Sequence, residues 1–102
     1  MITPEEYDRY ERQIRLFGRE GQERLKAAKV FVAGAGGLGS AACVYLAAAG
    51  IGTLRIADEG AVERSNLNRQ FLYGDEDTGR AKVEAAAARL ARLNPAVRIE
   101  GL

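Results

Sequence analysis

Gly34-Ala-Gly-Gly-Leu-Gly39 constrains this chain more than any other stretch. It follows Lys29-Val-Phe-Val-Ala33, a short apolar run without polar alternation. Beyond it, Leu38, Ala41, Ala42, Tyr45, Leu46 and Ala49 recur at helical spacing until Gly50 and Gly52. The pattern predicts a strand buried on both faces, a tight turn and a helix. In G-x-G-x-x-G, Gly34 is expected to permit the turn and Gly36 to let the backbone approach a phosphate. Gly37 falls in the same cradle, and Gly39 is expected to let helix and strand pack closely. Free amides and partial positive charge at a helix N-terminus favour an anion there.

A second strand, Thr53-Leu-Arg-Ile-Ala57, ends at Asp58, which lies 19 residues after Gly39. That spacing suits an acidic group holding ribose hydroxyls at the tip of the second strand. The polar stretch 59–79 follows, and a helix is predicted from Arg80. Its apolar stripe is Val83, Ala86, Ala87, Leu90 and Leu93, and Asn94-Pro95 stops it. Val97–Leu102 alternates and reads as a third strand. Ahead of all this, residues 1–28 form a charged helical arm. Thr3 suits the N-cap, Pro4 the first helical position, and Glu6 the capping box. Gly18 and Gly21 interrupt the arm, so a second short helix is expected to about Ala28.

The fold class predicted is α/β: a βαβαβ half of a Rossmann-like, doubly wound parallel sheet over residues 29–102. In the complete fold the first strand is central, and no sequence here forms the strand that would cover its open side. The 102 residues are therefore expected to be a piece of a larger domain or an intimate oligomer.

Composition narrows the chemistry. With no His, neither a Ser-His-Asp triad nor an imidazole metal site can form. A single Cys forms no internal disulfide or multi-cysteine zinc cluster, which points to a reducing, cytoplasmic setting. Cys43, among Ala41, Ala42 and Val44, is expected to be a small packing residue. The net charge of +1 has no single-sign block behind it, so neither nucleic acid nor a membrane is expected as a partner. Catalysis must then rest on Arg, Lys, Asp, Asn and backbone amides.

Ser65-Asn-Leu-Asn-Arg-Gln70 is the most informative polar segment. Arg69 offers a planar fork suited to phosphate oxygens, and Asn66 and Gln70 can orient neighbouring groups. Lys82, one of three lysines beside twelve arginines, sits near a helix start where it can reach a β- or γ-phosphate. The glycine loop and Asp58 also permit a nicotinamide-dependent oxidoreductase, but a cation just past the ribose anchor argues against a hydride-transfer pocket. A non-catalytic nucleotide-binding or dimerisation homologue is the third possibility.

In order, Tyr10-Glu-Arg-Gln13, Gly34–Ser40, Asp58, Ser65–Gln70, Gly79-Arg-Ala-Lys82 and Asn94-Pro95 resemble the adenylation domain of the ThiF-type family. That family includes molybdopterin-synthase and thiamine sulfur-carrier adenylyltransferases and ubiquitin-activating enzymes. The resemblance implies ATP as co-substrate, with Mg2+. It implies adenylation of the C-terminal Gly-Gly carboxylate of a small ubiquitin-like sulfur carrier. Asp58 would hold the ribose, and Asn66, Arg69 and Lys82 the triphosphate. Arg12 matches the arginine that family dimers insert into the neighbouring subunit's ATP site, so a homodimer is implied. The family pattern continues past Leu102 with an Mg2+-binding Asp, Cys-x-x-Cys zinc ligands and, in many members, a transfer cysteine. Weak or no ATP turnover is therefore expected of residues 1–102 alone.

Overall fold

The computed structural model describes all residues, Met1–Leu102. Helix α1 (Pro4–Ala27) leads into strand β1 (Lys29–Ala33), helix α2 (Gly37–Ala49) and strand β2 (Thr53–Ala57). After two single-turn 3-10 segments, Arg64–Asn66 and Asp75–Asp77, come helix α3 (Lys82–Leu93) and strand β3 (Arg98–Gly101). The strands are parallel in the order β1-β2-β3, which makes β1 an edge strand.

The arm starts where its capping residues dictate. The Thr3 hydroxyl accepts from the Glu6 amide and the Glu6 carboxylate accepts from the Thr3 amide, a reciprocal box. Gly18 breaks the helical path at φ 80°, ψ 169°, so α1 is two helical pieces joined at that residue. Two buried apolar residues on the first piece, Tyr10 and Ile14, face the body of the molecule.

The arm closes over the C-terminal end of α2, whose last carbonyls lack intrahelical partners. Gln13 and Gln22 each donate to the Ala49 carbonyl, at 2.7 and 2.9 Å. Asn94 Nδ2 donates to the Ala47 carbonyl and to the Tyr10 hydroxyl, both at 2.7 Å. Gly50 caps α2 at φ 90°, and a Cβ there would lie 2.6 Å from Tyr10 Cζ. The arm also reaches the start of β2: the Gly52 amide donates to Leu25 O and the Thr53 amide to Ala28 O. It therefore sits at the N-terminal end of the sheet.

One face of the sheet carries the core. Val30, Leu54 and Ile99 stand in register, as do Val32 and Ile56, and all contact the cluster containing Cys43, Ala47, Ala86 and Leu90. Fully buried side chains such as Leu54 and Ile56 contribute about 1.5–3 kcal/mol each by leaving water. The opposite face is open. Phe31, Arg55 and Glu100 stand in register there, Phe31 is exposed, and Arg55 pairs with Glu100 at 2.7 Å.

That openness corrects the expectation that β1 is buried on both faces, because α2 and α3 cover only one side. The predicted stripe of α2 is corrected too. Ser40, Cys43 and Ala47 are its buried residues, while Leu38 and Tyr45 are 92% and 76% exposed. Small side chains let the helix approach the sheet and α3 closely, and a helix apolar on all sides does not specify which face turns inward. On α3, Leu90 is buried as expected and Leu93 is not, and the helix begins at Lys82 rather than Arg80.

Candidate functional site

The turn after β1 is built by glycine stereochemistry. Gly34 has φ 102°, a region that side chains rarely adopt, and its amide donates to Ala57 O at 2.7 Å. Gly39 meets the Gly34 carbonyl so closely that a Cβ would lie 1.9 Å from that oxygen. The first hydrogen bond of α2 runs from the Ser40 amide to Gly36 O. The amides of Gly36, Gly37, Leu38 and Gly39 consequently have no partner in the protein. Four adjacent free donors at a helix N-terminus form an anion cradle.

Asp58 pins this turn from the tip of β2. Its Oδ2 accepts from the Ala35 amide at 2.7 Å and its Oδ1 from the Gly60 amide at 2.6 Å. The Ala35 hydrogen bond is the main cause that holds the Asp58 carboxyl below its ordinary value, helped by Gly60 and the charge of Lys82 and opposed by burial. A carboxylate has about four lone-pair directions, so both oxygens keep capacity for a further donor such as a ribose hydroxyl.

Lys82 opens α3 beside this carboxylate. Its amide donates to Gly60 O, and its side chain passes over Gly60, where a Cβ would lie 3.7 Å from Cδ and Cε. The ammonium has no hydrogen-bond or ion-pair partner in the protein. On the other side of the turn, Gln70 is buried with Nε2 3.8 Å from where a Gly36 Cβ would stand. Gln70 Oε1 is buried without any hydrogen-bond partner. Such an orphan is costly and suits an incoming donor.

The other sequence candidates stand differently. Asn66 is buried, and its Oδ1 accepts from the Glu63 amide, so it shapes the loop. Arg69 is exposed, with Nη1 donating to Ser65 O and Asn68 Oδ1. Its Nε and Nη2 donors remain free. Arg12 is exposed on α1, next to Gln13 at the C-terminal end of α2. The glycine turn is at the other end of that helix, about 18 Å away along its axis.

Sequence reading missed Tyr73. It is buried, and its hydroxyl donates to Ala35 O at 2.7 Å, supporting the turn from below. Burial first, and the Asp58 charge second, push its phenol well above the ordinary value. Its only sequence signal was an aromatic three residues after Gln70. No three Asp, Glu or Cys side chains converge on a point. The groups that converge on the turn are chiefly N–H donors, which suit an anion and do not make a cage for Mg2+ or Zn2+.

Fold and site together define a Rossmann-like α/β unit with an anion cradle at the end of its first strand. A profile of the ThiF family matches residues 10–102, and the chain belongs to that family. It is 54% identical over 100 residues to a sulfur carrier protein adenylyltransferase of Thermus thermophilus, covering 96% of this chain and 37% of that protein. It is 52% identical over 95 residues to a SAMP-activating enzyme E1 of Haloferax volcanii, covering 91% of this chain and 35% of that one. Among solved structures, E. coli tRNA N6-threonylcarbamoyladenosine dehydratase in complex with ATP superposes with a TM-score of 0.94 at 32% identity. That match covers 100% of this chain and 42% of the other. The chain thus spans little more than a third of the length of these curated relatives.

Proposed function

We propose that these residues form the ATP-holding part of an adenylyltransferase that acts on a small ubiquitin-like sulfur carrier in the cytoplasm. The observation that carries this reading is the convergence of four free amides, orphaned Gln70 Oε1 and the unpaired Lys82 ammonium around one turn. Of the two relatives above, both more than half identical, one is named a sulfur carrier protein adenylyltransferase and the other a SAMP-activating enzyme. A neighbour that holds ATP on the same fold favours ATP over a nicotinamide cofactor.

In this reading the nucleophile is the carrier's C-terminal Gly-Gly carboxylate. It is ionised at neutral pH, so no protein base is required. One carboxylate oxygen forms a bond to the α-phosphorus, and the bond from that phosphorus to the bridging oxygen of pyrophosphate breaks. No proton changes place. Asp58 accepts the ribose hydroxyls, the Gly36–Gly39 amides and Asn66 face the phosphates, and Gln70 orients the loop above them. Lys82 and Arg69 neutralise charge on the α-phosphoryl group and the leaving pyrophosphate. Mg2+ would accompany the triphosphate and offset part of its charge.

Arg12 belongs to the same reading as a group supplied by a second copy. Its position at the far end of α2 keeps it from the turn of its own chain. The test is carrier-dependent ATP–pyrophosphate exchange in the full-length protein. Arg69→Ala and Lys82→Ala should each abolish exchange, since one arginine in phosphoryl transfer can supply about 10³–10⁵-fold. Near wild-type exchange in both variants overturns the assignment.

A further inference from the structure

The four free amides of the cradle are not aimed by the same means. Those of Gly37, Leu38 and Gly39 lie in the first turn of α2, and the helix itself directs them. The Gly36 amide precedes the helix. It belongs to the Ala35–Gly36 peptide, and in a trans peptide the carbonyl and the N–H point in opposite directions. The two preceding peptides are each pinned through their N–H, Gly34 on Ala57 O and Ala35 on Asp58 Oδ2. The Ala35–Gly36 peptide has a single partner, the Tyr73 hydroxyl, 2.7 Å from Ala35 O. Ala35 and Tyr73 are both buried, so this bond draws the carbonyl inward and leaves the Gly36 N–H facing the cradle. Gly36 has φ −87°, and glycine takes positive φ as readily, so nothing local keeps the peptide from turning over. Turned over, it would present the Ala35 carbonyl to a phosphate in place of an N–H. Loss of the hydroxyl favours that state, because a buried carbonyl without a partner is costly and the cradle, at exposed Gly37 and Leu38, is open to water.

We infer that Tyr73 is a positioning residue of the nucleotide site, its hydroxyl locking the Ala35–Gly36 peptide with the Gly36 N–H turned toward the phosphates. The same residue ties this lock to the polar loop. The Gln70 amide donates to Asn66 O and the Tyr73 amide to Gln70 O, so Tyr73 ends the turn that carries Asn66, Arg69 and Gln70. Burial holds the phenol protonated, and it remains a donor across the working pH range. The inference rests on the nucleotide reading of the glycine turn.

Tyr73→Phe in the full-length protein tests it, because the ring stays in the core and only the hydroxyl goes. Without nucleotide, amide NMR should show the Gly36 resonance shifted or doubled, with that of Gly50, at the far end of α2, unchanged. In the wild type the Tyr73 hydroxyl proton should exchange slowly enough with water to be seen. In carrier-dependent ATP–pyrophosphate exchange, stranding one buried carbonyl should raise KM for ATP about tenfold or more. The kcat should stay within about twofold, the split that marks lost binding rather than a lost transition-state contact. A purely structural role would instead lower the unfolding midpoint and the active fraction at unchanged KM. An unmoved Gly36 resonance, an unchanged KM, or a wild-type hydroxyl in rapid exchange overturns the inference. Wild-type protein that binds no ATP overturns the nucleotide reading, and the Gly36 resonance then decides the peptide lock by itself.

Discussion

Asp58 Oδ2 accepts the Ala35 amide at 2.7 Å, fastening the tip of β2 to the turn that follows β1. Its other oxygen holds the Gly60 amide, so one carboxylate fixes both loops at that end of the sheet. Hydrogen bonds to charged groups contribute about 1.5–3 kcal/mol each. Because this carboxylate is partly exposed, Asp58→Ala is expected to lower unfolding free energy by about 2 kcal/mol, read from urea denaturation. An unchanged midpoint would show that the turn holds without it.

The same group sets part of the acid response. Its folded pKa lies below the unfolded value, mainly through the Ala35 hydrogen bond. At Glu6, burial pushes upward, but hydrogen bonds from Lys26 and Thr3 outweigh it and leave the carboxyl lowered. For a lowered carboxyl, the stabilisation is full above the unfolded pKa, about 3.9 for Asp and 4.3 for Glu. It is lost as pH falls through the folded value. Urea midpoints should be flat from about pH 5 to 7 with respect to these groups and drop below about pH 4. Asp58→Asn should flatten part of that drop.

Two glycines two positions apart should behave oppositely. A Cβ at Gly39 would stand 1.9 Å from a backbone oxygen, whereas at Gly37 it meets nothing within 4 Å. Gly39→Ala is expected to cost about 3 kcal/mol or more, as backbone must move. Gly37→Ala should leave stability unchanged or up to about 1 kcal/mol higher, since Ala is the better helix former. Paired denaturation curves decide this, and equal losses would refute it.

Cys43 is fully buried in the core, and burial pushes its thiol up to about 11. Thiolate is the reactive form. A chromogenic disulfide reagent at pH 8 should leave the folded chain unlabelled for as long as it stays folded, and label one thiol at once in denaturant. Rapid labelling of the native protein would show that the α2 face opens.

Asn94 is fully buried and joins three segments. Besides its two donations to Tyr10 and Ala47, its Oδ1 accepts from the Ala96 amide at 3.2 Å. Asn94→Ala strands these partners in the interior and should cost about 1–3 kcal/mol, measured by thermal or urea unfolding. A smaller loss would mean that water replaces the amide.

The residues themselves determined the local features. Thr3 and Glu6 made a capping box, Gly18 broke the arm, and Gly34 and Gly50 took the left-handed backbone that only glycine adopts easily. Each depends on groups within a few positions of one another. The strand-helix-strand order and the position of Asp58 at a strand tip followed for the same reason. Tertiary structure alone decided which face of each element is buried. In α2 every side chain is small or apolar, so the choice of Ser40, Cys43 and Ala47 over Leu38 and Tyr45 came from the closeness of the sheet and α3. In β1, Phe31 lies open because both helices lie on the opposite side. Tyr73 under Ala35, Gln70 over Gly36 and the arm at the far end of α2 are likewise meetings of segments distant in sequence, set by packing geometry that no local pattern encodes.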